Sequence, residues 1–467
     1  MSSPPRVIYS MVMDQGATFA YQAWCLAHSL LRYCGADPAD IHIQCTPEAD
    51  LSARELLARR GFRIHALTRF GDGKYCNKLS QIDNLPTGAA DIVVLLDTDT
   101  IATGDLRFWL SMEAVRGKLV DFANPPIETL TEIAALAGLE TGERLPTDAG
   151  DGMTFAGNCN GGMYAVPASA CAALSSAWRK WALWLLDNPE PLRRVGREIH
   201  VDQVSFWLAL RSTGLPFEPA AANANFFVHA DARRHYLDPN REIALIHYHD
   251  TLNVLGKIAP RGALAPNERA AVTRANELIG EVFDNTLFWS FRYANHPERG
   301  SGVGSRGEHL EYKRNLLRAN GVEHARSVLD IGCGDLEVIK SLKFNDYTGL
   351  DTSVLAIERA RSIMPDGQFH LGLPPHVGAA DIVVCLEVLI HQPHMEDYRR
   401  LIAYAAARAG RSLIISGYDI ATPEIEQNSM VFFHEPLRQS LEACSRFSSV
   451  RAIGRHSDDV VVYRCDV

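Results

Sequence analysis

Ile92-Val93-Val94-Leu95-Leu96-Asp97-Thr98-Asp99 decides how the first half of this chain reads. Five consecutive branched apolar residues describe a strand buried on both faces, as a parallel sheet requires. Two carboxylates follow at once. In an open α/β sheet, ligands gather outside the carboxyl ends of the strands. Asp97 and Asp99 are separated by one residue, so an extended backbone points both the same way. Such a pair offers hard oxygen ligands to Mg²⁺ or Mn²⁺, with a diphosphate completing the shell. Standing alone, an Asp-x-Asp equally describes a solvated strand end.

A second signature lies far downstream, in Ser327-Val328-Leu329-Asp330-Ile331-Gly332-Cys333-Gly334. Gly332 and Gly334 let the backbone turn tightly and approach a ligand where a Cβ would clash. Asp351 ends the next strand about twenty residues on, the spacing at which a carboxylate meets ribose hydroxyls in nucleoside-binding α/β folds. The full Gly-x-Gly-x-x-Gly dinucleotide fingerprint is not present, because Glu337 stands at the last position.

At 467 residues the chain exceeds one ordinary domain. Its 47% apolar and 22% charged residues are those of a soluble globular α/β protein. A formal net charge of −10 argues against nucleic acid as a partner. No apolar run reaches the roughly 18 residues that a transmembrane helix needs, and Met1 to Arg6 shows no secretory signal. Ten scattered cysteines fit buried thiols in a reducing compartment, so a cytoplasmic location is expected.

The periodicity predicts a strand over Val7 to Val12 and a helix over Gly16 to Tyr33, with Phe19, Ala23, Leu26 and Leu30 on one face. A helix over Leu51 to Arg60, a strand over Phe62 to Leu67 and a short helix over Leu79 to Asn84 precede the Asp97 strand. Asn124 to Gly157 reads as a long functional loop. Ala168 to Leu186 reads as a tryptophan-bearing helix, and Ile243 to His247 as a closing strand. Pro, Gly and Ser punctuation places the boundary near Phe283 to Gly300, giving domains 1–285 and 307–467 with a linker or cofactor lid at 286–306. In the second domain a helix is expected between the strands ending at Ile331 and Asp351.

With Lys78 before the Asp-x-Asp strand and Asn160-Gly161-Gly162, Asp202-Gln203 and Ile246-His247 after it, residues 6 to 258 resemble metal-dependent glycosyltransferases of the GT-A fold. The glycogenin and lipopolysaccharide galactosyltransferase group is the nearest in pattern. The resemblance implies a GT-A-like mixed sheet. It implies that Asp97, Asp99 and His247 bind the metal and that Lys78 contacts a nucleotide-sugar donor, a UDP- or GDP-sugar. It implies that Asn160 and Gly161 form a sugar-binding turn, that Asp202 and Gln203 lie beside the sugar, and that transfer to a glycan acceptor is retaining. The family's His-x-x-Gly-x-x-Lys run is not kept, since Tyr248-His249-Asp250 follows His247; His249 is therefore a rival metal ligand.

Residues 307 to 467 resemble class I S-adenosylmethionine-dependent methyltransferases, with a Rossmann-like sheet, through the Gly332 turn, Gly349-Leu350-Asp351 and Asp381-Ile382-Val383-Val384-Cys385-Leu386-Glu387-Val388. The resemblance implies that Asp330, Gly332 and Gly334 lie along the methionine part of S-adenosylmethionine and that Asp351 holds the ribose. Asp335-Leu336 replaces the family's third glycine. Arg306 either reaches the cofactor's carboxylate or belongs to a hinge. His391 follows Glu387 by four residues, so on a helix the pair would share a face. His391 is then the candidate base or acceptor contact, with Glu387 orienting it or the cofactor; the plainer reading has His391 packing a helix start.

The expectation is a bifunctional glycan-assembly enzyme, with metal-dependent sugar transfer in the first half and methyl transfer, to a sugar hydroxyl, in the second. The alternative is a glycosyltransferase carrying a non-catalytic methyltransferase-like binding module. A methyltransferase with a lectin-like first domain is disfavoured by the intact Asp97, Asp99 and His247. A nucleotidyltransferase is disfavoured because Met11 to Gly16 lacks a Gly- and Lys-rich phosphate loop.

Overall fold

Apolar strands alternating with amphipathic helices fold, in a computed structural model, into two compact units. The structure describes residues 4–228, 234–425, 430–456 and 459–467. One unit comprises Met1–Asn253 with Lys257–Val282; the other comprises Val254–Gly256 with Phe283–Val467.

In the first unit the early strands are β1 (Val7–Met13), β2 (Ile41–Cys45), β3 (Arg63–Ala66), β4 (Ile92–Leu96), β5 (Thr100–Ala102) and β6 (Val115–Leu119). The later ones are β7 (Arg144–Pro146), β8 (Met153–Phe155), β9 (Cys159–Pro167), β10 (Phe217–Pro219), β11 (Phe226–Phe227) and β12 (Leu245–His247). Seven strands form a mixed sheet in the order β10-β6-β9-β4-β1-β2-β3. Strand β4 is buried throughout, runs parallel to β1 and pairs antiparallel with β9. A smaller sheet, β11-β12-β5, decides the site: His247 pairs with Thr100, which brings the end of β12 back beside Asp97 to Asp99.

Helices α1 (Ala17–Cys34), α2 (Leu51–Arg59), α3 (Ile127–Ala137), α4 (Cys171–Asp187), α5 (Glu190–Arg194), α6 (Val201–Thr213) and α7 (Pro266–Glu281) complete this unit. On α1 the buried stripe includes Ala23, Leu26 and Leu30, but Phe19 is exposed because the first turn buries Ala17, Ala20 and Tyr21 instead. The segment expected as a short helix at 79–84 is a 3₁₀ stretch over Tyr75–Ser80 followed by turns. The Asn124 to Gly157 stretch is not a loop. It contains α3, β7 and β8, because Leu130, Ile133 and Ala134 recur at helical spacing and Gly138 closes α3 in the left-handed region.

The second unit contains α8 (Asn285–Asn295), α9 (Gly307–Ala319), β13 (Val328–Ile331), β14 (Tyr347–Asp351), α10 (Val354–Ile363), β15 (Gln368–Leu371) and β16 (Ala380–Cys385). After these come α11 (Met395–Arg408), β17 (Ala409–Tyr418), α12 (Leu437–Glu442), β18 (Ser449–Arg455) and β19 (Val460–Asp466). The sheet order is β15-β14-β13-β16-β17-β19-β18. Strands β13 to β17 pair in parallel, and β19 is antiparallel to both of its neighbours. The chain therefore reverses its winding direction between β13 and β16, the crevice where doubly wound sheets bind ligands. Apolar residues of both sheet faces form two cores.

Two expectations differ here. The stretch expected as a linker at 286–306 carries α8, because the Asp284 carboxylate accepts from the Leu287 N–H and Leu287, Phe288 and Phe291 are buried. No helix joins β13 to β14: turns occupy this span, and Leu336 at φ +58° interrupts any right-handed run. None of the ten cysteines forms a disulfide. Among the described residues no helix is long and apolar enough to cross a membrane.

Candidate functional site

At the end of β4 the backbone does not stay extended. The Thr100 N–H donates to the Asp97 carbonyl across a turn, and the Asp97 N–H donates to the Gly162 carbonyl of β9. The turn separates the two carboxylates that the spacing reading had pointing the same way. Asp97 faces the Lys78 Nζ at 2.6 Å, and Asp99 faces the other side, toward β12. His247 Nε2 lies 3.3 Å from one Asp99 oxygen and His249 Nδ1 lies 3.3 Å from the other. The two imidazoles stack with centroids 3.9 Å apart. Ligand atoms of Asp99, His247 and His249 all lie within 4.8 Å of one another, a spacing that suits one cation. Asp97, expected in the metal set, is engaged by Lys78; His249 stands with Asp99 and His247.

Lys78 is buried, and its ammonium also donates to the Gly161 carbonyl at 2.9 Å and lies 3.6 Å from Asp202. Burial pulls its pKa down, but the carboxylates of Asp97 and Asp202 outweigh that and raise it, so the charge is kept. Burial pushes Asp202 up to about 6, against the opposing pull of Lys78. Asp202 sits in the first turn of α6, and its carbonyl accepts the buried Trp178 indole N–H. Gly161 is small by necessity: a Cβ there would meet Lys78 Nζ at 2.7 Å, with Asp97 and Gln203 just beyond. A Cβ at Gly162 would meet His247 Nδ1 at 2.5 Å. Segments from β4, β9, β12, the 3₁₀ turn at Lys78 and the start of α6 thus converge through hydrogen bonds and ion pairs.

Beneath them lies a buried ion cluster that gave no sign in the sequence. Lys118 Nζ contacts Asp121 at 2.5 Å and Asp148 at 3.5 Å, and Arg234 bridges the same two carboxylates at 2.8 and 3.3 Å. Lys118 on β6 and Asp121 just past its end are three residues apart, whereas Asp148 and Arg234 come from distant parts of the chain.

In the second unit, Asp330 is the penultimate residue of β13 and Asp351 the last of β14. Tyr347 O–H donates to Asp330 at 2.9 Å, while Asp351 accepts the N–H groups of Gly334 at 3.0 Å and Ser353 at 2.9 Å. Burial pushes each carboxyl up to about 6. Gly332 and Gly334 take φ +77° and +55°. Leu336, standing where the methyltransferase resemblance has a third glycine, takes the left-handed φ that a glycine would supply freely. Arg306 pairs with Asp335 at 2.5 Å, and Ser301 Oγ donates to the same carboxylate at 2.8 Å.

Glu387 and His391 share no helix face. Glu387 follows β16 at φ +59°, and a 3₁₀ turn over Leu389–His391 separates it from α11. Its carboxylate goes to Lys313 of α9 at 2.6 Å, with His456 Nδ1 at 3.5 Å. Lys313 and His456 were not foreseen, since the helix carrying Lys313 is polar enough to read as a surface helix. His391 Nδ1 lies 2.6 Å from the Met430 carbonyl, and burial lowers its pKa. Because a carbonyl only accepts, Nδ1 carries the proton and Nε2 the lone pair.

No family model and no curated protein matches the sequence. Solved structures match in part. Magnesium protoporphyrin IX methyltransferase from Synechocystis with bound SAM shares 20% identity over 34% of this chain and 77% of that chain, with a TM-score of 0.28. The N-methyltransferase NodS from Bradyrhizobium japonicum, in complex with S-adenosyl-L-homocysteine, shares 17% over 39% and 98%, with a TM-score of 0.32. An O-methyltransferase family protein from Burkholderia thailandensis shares 14% over 42% and 60%, with a TM-score of 0.29.

Proposed function

We propose that the chain is a two-site transferase, moving a sugar from a nucleotide-sugar in the first unit and a methyl group from S-adenosylmethionine in the second. The observation that carries the first half is the convergence of Lys78, Asp97, Asp99, Gly161, Asp202 and His247, from five separate segments, at the carboxyl end of β4. Asp99, His247 and His249 would hold a divalent cation, and two imidazole nitrogens favour a transition ion such as Mn²⁺ over the all-oxygen preference of Mg²⁺. When bound, the cation neutralises the diphosphate leaving group. Lys78, kept charged by Asp97 and Asp202, presents a cation to the donor. Asn160, Gly161, Asp202 and Gln203 line the sugar side.

The sheet order, the left-handed Gly332, Gly334 and Leu336 turn, and Asp351 beyond it support the second half. Asp330, Gly332 and Gly334 flank the methionine part and Asp351 takes the ribose. The cofactor supplies an electrophilic methyl group. His391 Nε2 accepts the proton of the acceptor hydroxyl as its oxygen becomes nucleophilic. Glu387, engaged by Lys313, is a wall of the cofactor side rather than an orienter of His391. Arg306 is paired with Asp335 and the Gly334 N–H with Asp351, and this internal satisfaction favours a second reading: a glycosyltransferase with a methyltransferase-like binding module.

The test is turnover. Metal-dependent release of nucleoside diphosphate from a UDP- or GDP-sugar is expected, together with glycan-dependent formation of S-adenosylhomocysteine. Diphosphate release without any methyl transfer would select the second reading, and no metal-dependent release would remove the first half.

A further inference from the structure

Asn160 lies between the buried ion cluster and His247. Its Nδ2 donates to Asp121 Oδ2 at 2.9 Å, and its Oδ1 accepts from the Gly162 N–H at 3.0 Å and from Asn225 Nδ2 at 3.1 Å. A carboxylate can only accept and a backbone N–H can only donate, so the amide has one orientation. Lys118 and Arg234, both against Asp121, keep that carboxylate ionised. The same Asn160 Oδ1 is 3.0 Å from His247 Nδ1. Nδ1 of His247 therefore carries a proton, and in the neutral imidazole the Nε2 lone pair faces Asp99 at 3.3 Å. In that form two acceptors face one another, and a cation held between them and His249, whose ligand atom lies within 4.8 Å of both, satisfies the contact.

We infer that Asn160, anchored by Asp121, is a positioning residue that locks the His247 tautomer and ring for metal binding. This goes beyond a sugar-contacting role for Asn160 and rests on the metal reading given above. Outer partners of this kind fix a ligand's tautomer and raise its basicity, and their loss costs about 10–100-fold in metal affinity.

The test is Mn²⁺ titration of the full chain without nucleotide, by electron paramagnetic resonance, with the imidazole ¹⁵N pattern of His247 recorded in the metal-free protein. The wild type is expected to show the Nδ1–H tautomer and to bind Mn²⁺. Asn160→Ala should bind it about 10–100-fold more weakly with mixed tautomers. Asn160→Asp keeps an acceptor for Nδ1 but loses the donor to Asp121, so it should keep the Nδ1–H tautomer and weaken Mn²⁺ binding less than Asn160→Ala does. Metal-free melting curves identify any variant that fails to fold, and the wild-type tautomer decides the point if both do. A wild-type Nε2–H tautomer, or unchanged affinity in a folded Asn160→Ala, overturns the inference alone. No Mn²⁺ binding by the wild type overturns the metal reading and the inference with it.

Discussion

His249, Leu336 and Glu387 are the non-glycine residues with positive φ among the described residues, and each sits at one of the two candidate sites. Such backbone costs about 1–2 kcal/mol per residue and persists where the surroundings impose it. The carboxyls carry a similar burden. Asp330, raised by burial to about 6, holds its proton in the folded chain over a pH range where the unfolded chain has released it. Its contribution to stability falls as pH rises from about 4 to 6, by a few kcal/mol at most. Denaturant melts across that range should show a shallower fall in Asp330→Asn, which should also weaken S-adenosylhomocysteine binding; an unchanged slope would contradict the assignment. For His391, lowered by burial, the acidic limb of methyl transfer should lie below pH 6.5, where the imidazole becomes protonated. His391→Asn should cut kcat by about 10²–10⁴ with little change in S-adenosylhomocysteine affinity, and undiminished turnover would shift the base elsewhere.

The elements were legible where a long apolar run or a clear helical period stood alone, as in β1, β4, β16, α1 and α4. They were not where punctuation and periodicity conflicted: Pro125, Pro126 and Gly138 frame α3 and made a helix read as loop. The site followed the same rule. Asp97, Asp99, Gly332, Gly334 and Asp351 announce themselves by standing at strand ends, whereas Asp121, Lys313 and Asn225 matter only through partners that pairing brings from far away. The division of Asp97 and Asp99 between Lys78 and the histidines was hidden as well, because a turn, not a continued strand, follows β4. The approach of β9 to β12 is the element-level constraint on the first site. Gly162→Ala would drive a Cβ into His247 Nδ1 and Asn225 Oδ1, at 2.5 and 2.7 Å. It should lower Mn²⁺ affinity more than tenfold while the melting transition survives, and wild-type affinity would show that β9 can yield.

At the scale of the whole chain, each unit has its own sheet, its own core and its own strand-end site. The claim that most needs testing is that the two sites bind different ligands independently. Calorimetric titration of the full chain with UDP, GDP and S-adenosylhomocysteine, with and without Mn²⁺, tests it on the wild type and on the Asp97→Ala/Asp99→Ala double variant. One nucleotide should bind only with metal and lose that binding in the double variant, while S-adenosylhomocysteine binds both proteins equally. Nucleotide binding indifferent to metal and to the double substitution, or no S-adenosylhomocysteine binding, would contradict the account.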